Sequence, residues 1–210
     1  MFNEKWIPQF LDFIQAEMIT DAAHDLNHVL RVVNCAKRLS VTENANLDVV
    51  IPAAYLHDCF TYPKDHPERA SSSTIAAHKA CQFLRSIGYP ELHIDAIHHA
   101  IVAHSFSANI ATDSIEARVV QDADRLDALG AIGITRCIQV ATSLGRTLYS
   151  TDDPFCVERS ADDAKFTIDH FYIKLFSIAD TMKTEAGKQE AISRVAFMKQ
   201  YLAQLGHEIS

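Results

Sequence analysis

Residues 51–60 read IPAAYLHDCF. Up to Leu56 every side chain is small or apolar, apart from the Tyr55 hydroxyl. His57 and Asp58 then stand side by side where the pattern calls for more core. Burying an imidazole and a carboxylate costs several kcal/mol unless each finds a partner. The chain must therefore bring other polar groups to this point.

On both sides of this segment, apolar residues recur at helical rather than alternating spacing. Trp6, Phe10, Phe13, Ile14 and Met18 form one stripe, and Leu26, Val29, Leu30, Val33, Ala36 and Leu39 form another. Val49, Ile51, Ala53, Ala54 and Leu56 mark a more fully buried segment. Ile75, Ala76, Cys81, Phe83, Leu84 and Ile87 follow, ended by Gly88 and Pro90, which is ordinary helix-stop chemistry. Further helices are expected over 91–104, 114–128, 131–144, 161–180 and 184–205. Two long stretches rich in Pro, Ser and charge interrupt them, CFTYPKDHPERASSS (59–73) and GRTLYSTDDPFCVERS (145–160). Loops of that length in a compact domain are often functional. GAIG at 130–133 lacks the GxGxxG spacing and a preceding strand, so close helix packing is expected there instead of dinucleotide binding. The predicted architecture is all-α, one domain, with helices packed around a polar centre.

Composition narrows the function. The 210 residues are 48% hydrophobic and 22% charged, ordinary values for a soluble domain with a sizeable core. No apolar run approaches the roughly 18 residues that span a bilayer. The opening MFNEKWIPQF has no basic flank before an apolar segment, so no signal peptide is expected. Cys35, Cys59, Cys81, Cys137 and Cys156 are odd in number and contain no CxxC pair. They read as buried thiols in a reducing compartment, and a cytoplasmic protein is expected. Net charge is −8 without a Lys/Arg cluster, which argues against a nucleic-acid-polymer face. A phosphorylated small molecule would need a local positive centre, which a bound metal ion supplies.

HDLNHVLRVVNCA (24–36) places His24, His28 and Arg31 on one helical face. VVQDADRLDALGAIG (119–133) sets Asp122, Asp124 and Asp127 between apolar flanks. With His57 and Asp58, these are the neutral imidazoles and carboxylates that a divalent cation with mixed N/O ligands requires. Adjacent residues on a helix point about 100° apart. His57 and Asp58 can still meet one ion beside a helix end, where the long loop begins.

The ordered set of His28 in HVLRV, His57-Asp58 in LHD and Asp124 in DADRLDALGA resembles the HD-domain superfamily of metal-dependent phosphohydrolases. LHDCFTYPKDHPERASSST (56–74), IVAHSFSA (101–108) and TIDHFYIKLF (167–176) are similar to the stand-alone YedJ/YpgQ-like subfamily of small bacterial HD hydrolases. The resemblance thus covers most of the chain. It implies a single all-α HD-domain bundle, its metal-binding core over about residues 20–130 and a C-terminal helical extension over about 131–208. It also implies one divalent ion (Mn2+, Mg2+, Co2+, Ni2+, Fe2+ or Zn2+) held by His28, His57, Asp58 and Asp124, and a metal-activated water. The implied substrate is a small phosphate compound, above all a nucleotide, cleaved in the manner of a nucleoside triphosphate pyrophosphohydrolase.

Within that scheme Asp58 serves catalysis as well as ligation, and Arg31 is the first candidate to stabilise phosphoryl charge, since a guanidinium fork fits phosphate bidentately. Lys64 and Arg69 are the next phosphate contacts. Asp127 would orient a ligand or the attacking water, and His104 would give a proton to the leaving group or touch phosphate. Lys174, four residues after His170, is a further substrate contact if that helix walls the pocket, and an ordinary amphipathic helix otherwise. His24 suits support of a metal ligand or capping beside Asp25, and Asp122 is a surface or network carboxylate that rivals Asp124 as fourth ligand. An exposed or core-edge position is expected for His98, with His99 evenly balanced. Two rival functions stand: a diiron oxygenase drawing on His66, His78, His98, His99 and His104, or a non-catalytic nucleotide sensor. Phe197, Met198 and Leu202 on the last helix would close the core or form a homodimer seam.

Overall fold

The recurrence of apolar side chains is realised as nine α-helices among the described residues, which are 2–18, 25–63, 66–105 and 108–209 of a computed structural model. They are α1 (Ile7–Glu17), α2 (Leu26–Glu43), α3 (Leu47–Leu56), α4 (Ser72–Ser86), α5 (Ile94–His104), α6 (Ile115–Leu126), α7 (Gly130–Ser143), α8 (Phe176–Ala179) and α9 (Glu185–Ile209). Among the described residues no strand forms; one isolated bridge joins Thr147 to Phe166. The chain divides into two units, Met1–Asp124 and Arg125–Ser210, and the division falls inside α6. No helix among the described residues is long and apolar enough to cross a membrane.

In the first unit α3 is the buried centre: Val49 to Leu56 are all inaccessible, and α1, α2, α4 and α5 pack around it. Local chemistry sets the helix ends. Asp25 caps α2 by accepting the His28 N–H at 2.8 Å, and Asn44 ends that helix in the left-handed conformation. Asn46 caps α3 through the Asp48 N–H at 2.9 Å. Gly88, at φ +76°, stops the chain after α4 as its sequence predicts. Pro52 sits inside α3 and has no N–H to offer the Asp48 carbonyl one turn back. The buried Tyr89 hydroxyl donates to that carbonyl instead, at 2.7 Å. The Tyr89 ring also meets Trp6 and Phe10 of the first stripe.

The second unit pairs α7 with α9. At GAIG the close approach is to the chain's own turn: a Cβ on Gly133 would lie 2.2 Å from the Ala128 carbonyl oxygen, and Gly130 has φ +72° with Arg194 of α9 beside it. On α9, Met198 and Leu202 are buried while Ile192 and Phe197 are exposed. The helix expected over 161–180 is shorter, with helical geometry starting only at Asp169 and running through a π-turn at Phe171–Leu175 into α8. Residues before it take their hydrogen bonds elsewhere. Thr147 N–H donates to Lys165 O (3.0 Å), Thr167 N–H to Thr147 O (2.9 Å) and Ile168 N–H to Leu148 O (3.0 Å).

The 145–160 stretch, irregular as expected, is fastened from inside. Asp153 accepts the N–H groups of Val157, Glu158 and Arg159, which holds its carboxyl at about 2. Arg159 grips the buried Asp169 with both arms, at 2.6 and 2.7 Å, and Asp162 N–H donates to the same carboxylate at 2.6 Å. Burial would raise the Asp169 pKa, but these bonds outweigh it and hold it low. Of the five cysteines, all unpaired with one another, Cys35, Cys59 and Cys81 are buried and Cys137 and Cys156 are partly exposed.

Candidate metal centre

Four segments of the first unit deliver the polar centre. His28 lies in the first turn of α2, fixed there by the Asp25 cap. His57 terminates α3, and Asp58 follows in the turn that opens the long loop. His104 is the last residue of α5, and Asp124 lies near the end of α6. The Gln121 amide, buried on α6, donates to the Ala103 carbonyl at 2.7 Å and so ties α6 to α5 beside His104.

Each imidazole presents Nε2 to a carboxylate. His28 Nε2 is 3.4 Å from Asp124 Oδ1 and 3.7 Å from Asp58 Oδ2. His57 Nε2 is 3.5 Å from Asp58 Oδ2 and 3.8 Å from Asp124 Oδ1. His104 Nε2 is 3.6 Å from Asp58 Oδ1. All these gaps exceed the roughly 2.9 Å of an ordinary N–H···O bond. They suit donors arranged around one ion with bonds of about 2 Å.

The proton arrangement fits the same purpose. His57 Nδ1 lies 2.8 Å from the Ala54 carbonyl, which can only accept, so Nδ1 carries the hydrogen. His104 Nδ1 makes the equivalent bond to Ile101 O. His57 Nε2 is buried and has no hydrogen-bond partner among the described residues. Such an orphan lone pair costs free energy, unless a cation occupies the space in front of it. Burial pushes the His57 pKa down despite Asp58, keeping the ring neutral. Asp58 and Asp124 are desolvated too, but the surrounding imidazoles outweigh burial and hold both below the ordinary carboxylate range. His28 and His57 are inaccessible, whereas the Asp58 and Asp124 side chains keep 16% and 27% of their surface. The cluster therefore opens to solvent on its carboxylate side. His28, His57 and Asp58 offer donor atoms within 4.8 Å of one another, the buried N/N/O set a divalent cation takes.

Each of the other expected site residues has its own surroundings. Arg31 is half-buried one turn beyond His28, near enough to Asp25 that its charge helps lower that carboxyl, after the His28 N–H and Asn27 bonds have overcome burial. Arg69 is half-buried and donates to the Tyr62 carbonyl. Asp127 is buried and bonded to Arg136 at 2.8 Å within the second unit. Lys174 is exposed in the π-turn. His24 and Lys64 lie outside the described residues. Asp122 is no surface group: it is fully buried, on the apolar face of α6. His98 is half-buried against the His78 ring, His99 Nε2 accepts the Asp113 N–H, and His66 stacks on Tyr62. Of the histidines between His57 and Asp124, His104 joins the centre. Its place was not legible from helical facing alone, and Gln121 carried no motif at all.

The HD domain family model matches residues 25–129, a span containing all five side chains of the centre. The chain is 32% identical over 211 residues to the uncharacterized protein YpgQ of Bacillus subtilis (strain 168), covering 98% of this chain and 94% of YpgQ. It is similar to the crystal structure of Bacillus subtilis YpgQ in complex with ADP, with a TM-score of 0.73 over 96% of this chain and 97% of that one, at 32% identity. A crystal structure of an HD-superfamily hydrolase from Bacillus thuringiensis gives a TM-score of 0.75 at 33% identity, over 98% and 97% of the two chains. With its ordered His28, His57-Asp58 and Asp124 set inside that span, the chain belongs to the HD-domain family of metal-dependent phosphohydrolases.

Proposed function

We propose that this chain is a nucleotide phosphohydrolase, of the nucleoside triphosphate pyrophosphohydrolase type, working with one divalent metal ion. The observation that carries the proposal is the convergence of three imidazole Nε2 atoms on two partly exposed carboxylates, with His57 Nε2 otherwise unsatisfied. The nucleotide is supported by the relative YpgQ, whose structure is a complex with ADP. His28, His57, Asp58 and Asp124 would hold the ion. When bound, such an ion polarises a phosphoryl oxygen and lowers the pKa of water from 15.7 towards about 7.

The protein's own groups do the rest. Neutral His57 and ionised Asp58 and Asp124 form a set of fixed charge beside His28, so phosphate meets a centre that needs little rearrangement. With His104 Nδ1 held on Ile101, Nε2 is the atom through which that ring exchanges a proton with a leaving oxygen or contacts phosphate. Arg31 offers its guanidinium fork to phosphate oxygens, and Arg69 adds whatever its bond to Tyr62 leaves available. Manganese is the proposed metal, and the mixed N/O set also accepts Mg2+, Co2+, Ni2+, Fe2+ and Zn2+. A single ion is favoured over the two of a diiron oxygenase, because His66, His78, His98 and His99 are engaged away from the centre.

The test is an assay of the purified protein with dNTPs, NTPs, dNMPs and cyclic dinucleotides and Mn2+, Mg2+, Co2+ or Ni2+. Release of pyrophosphate or phosphate is expected from the wild type and not from Asp58→Ala. No product across the panel, with about two irons bound per chain, would overturn the proposal in favour of an oxygenase.

A further inference from the structure

Two histidines that the HD centre does not use stand against each other where α4 packs on α5. His78 and His98 place their ring centres 5.0 Å apart, with an interplanar angle of 83°. Inside the HD centre, His57 and His104 stand 4.9 Å apart at 83°, and His28 and His57 5.5 Å apart at 65°. Two rings bound through Nε2 to one ion at about 2 Å bring their centres to a separation of this order. The α4–α5 pair thus repeats the spacing of the metal centre.

The proton arrangement repeats as well. His78 Nδ1 lies 2.7 Å from the Thr74 carbonyl, which can only accept, so the lone pair is on Nε2, as in His57 and His104. Neither nitrogen of His98 has a hydrogen-bond partner among the described residues, and neither histidine pairs with a carboxylate there. Burial, and then the charge of His78, lower the His98 pKa against the pull of Asp95, so this ring is neutral at pH 7. Other histidines are used up differently. His66 Nδ1 accepts the Glu68 N–H, His99 Nε2 accepts the Asp113 N–H, and His170 is bonded to Asp163.

The helices hold the pair in place. Cys81, one turn after His78, donates its thiol to the carbonyl of Ile94, one turn before His98, at 3.8 Å. His78 is exposed and His98 half-buried, so the open side of the pair faces water.

We propose that His78 and His98 form a second metal site, distinct from the HD centre, which takes one Ni2+, Cu2+ or Zn2+ ion between α4 and α5. Imidazole suits these ions, which stand at the tight-binding end of the divalent series, whereas Mn2+ and Mg2+ prefer oxygen. Water completes the coordination, and Asp95, one turn before His98, adds negative charge on that face. The site is independent of the phosphohydrolase proposal.

The experiment is calorimetric titration of the full chain with NiCl2 in the Asp58→Ala background, which disables the HD centre. Ni2+ binding is expected there, weakened tenfold or more by His78→Ala and by His98→Ala, and unchanged by His99→Ala. His78 is exposed, so its substitution tests the site even if His98→Ala disturbs packing. With Cu2+ in place of Ni2+, electron paramagnetic resonance should show two imidazole nitrogens on the ion, and one after His78→Ala. Absence of Ni2+ binding, or an affinity that neither His78→Ala nor His98→Ala changes, would overturn the site and leave only a ring contact. In the otherwise wild-type chain, His78→Ala should keep Mn2+-dependent turnover; loss of turnover would place His78 at the HD centre and overturn the separation. A wild type that hydrolyses nothing, yet loses Ni2+ with His78→Ala, supports this site and defeats only the hydrolase proposal.

Discussion

Asp58 and Asp169 are both carboxylates packed among cationic or proton-accepting partners, and their surroundings are opposite in kind. Asp169 is fully buried, and its two oxygens receive three donors at 2.6–2.7 Å, two from Arg159 and one from the Asp162 N–H. Asp58 keeps 16% of its side-chain surface, and three imidazole nitrogens stand off from it at 3.5–3.7 Å. A closed carboxylate stabilises the chain that wraps it. A carboxylate whose neighbours stop short of bonding leaves room for something else, and a fold bears that cost where it uses the space.

The comparison predicts opposite outcomes for equivalent deletions. Asp58→Ala should lower metal-dependent turnover by about a thousandfold or more, while thermal unfolding without metal stays close to the wild type. A variant that loses its fold along with its activity would make Asp58 a structural group like Asp169. Asp169→Ala strands Arg159 and should cost about 3 kcal/mol. That corresponds to a melting temperature lower by roughly 6–12 °C. An unchanged melting temperature would mean that the 145–168 loop adds nothing to stability.

Metal should act on one cluster alone. At a hundred times its dissociation constant, Mn2+ is expected to stabilise the wild type by about 2.7 kcal/mol and Asp58→Ala not at all. A thermal-shift series checks this, and an equal shift in both proteins would place the ion elsewhere. Acid should give the smallest effect and act on the other cluster. Asp169 is held below its unfolded pKa of about 3.9, so its contribution is complete above that pH and is lost as pH falls through the folded value. Asp153, held at about 2, adds to the same loss between about pH 4 and 2. The stability gap between wild type and Asp169→Asn should therefore narrow in acid. A gap that stays constant from pH 6 to 3 would contradict the assignment.

The Asp58 side of this contrast was visible in the sequence and the Asp169 side was not, and the reasons divide by range. Helical spacing of apolar residues is local, so α1 to α5 follow from it, and His57 falls at a helix end because an apolar run stops there. Asp25 before a periodic segment is a local cap signal that the structure fulfils. Long-range facts were not accessible. ADDAKFTI has helical composition, yet its N–H groups and carbonyls serve Thr147, Leu148 and Asp169. Asp122 was read as a surface or network carboxylate, and the surface alternative stayed open because nothing in VVQDADRL shows which face of α6 turns inward. His104 reaches Asp58 because α5 ends there, a consequence of how α5 packs on α3.

Pro52 makes one more dependence explicit. Since it leaves the Asp48 carbonyl for Tyr89 to fill, the two positions are thermodynamically coupled. Tyr89→Phe alone would abandon a buried acceptor, a loss of about 1–3 kcal/mol. With Pro52→Ala also present, the restored backbone N–H reclaims that carbonyl, and the tyrosine hydroxyl becomes nearly dispensable. A double-mutant cycle should thus return a non-zero interaction energy between a residue with no donor and one that lends it. Sequence drift at either position is then constrained by the other, although the helix they jointly complete is the one that ends in His57.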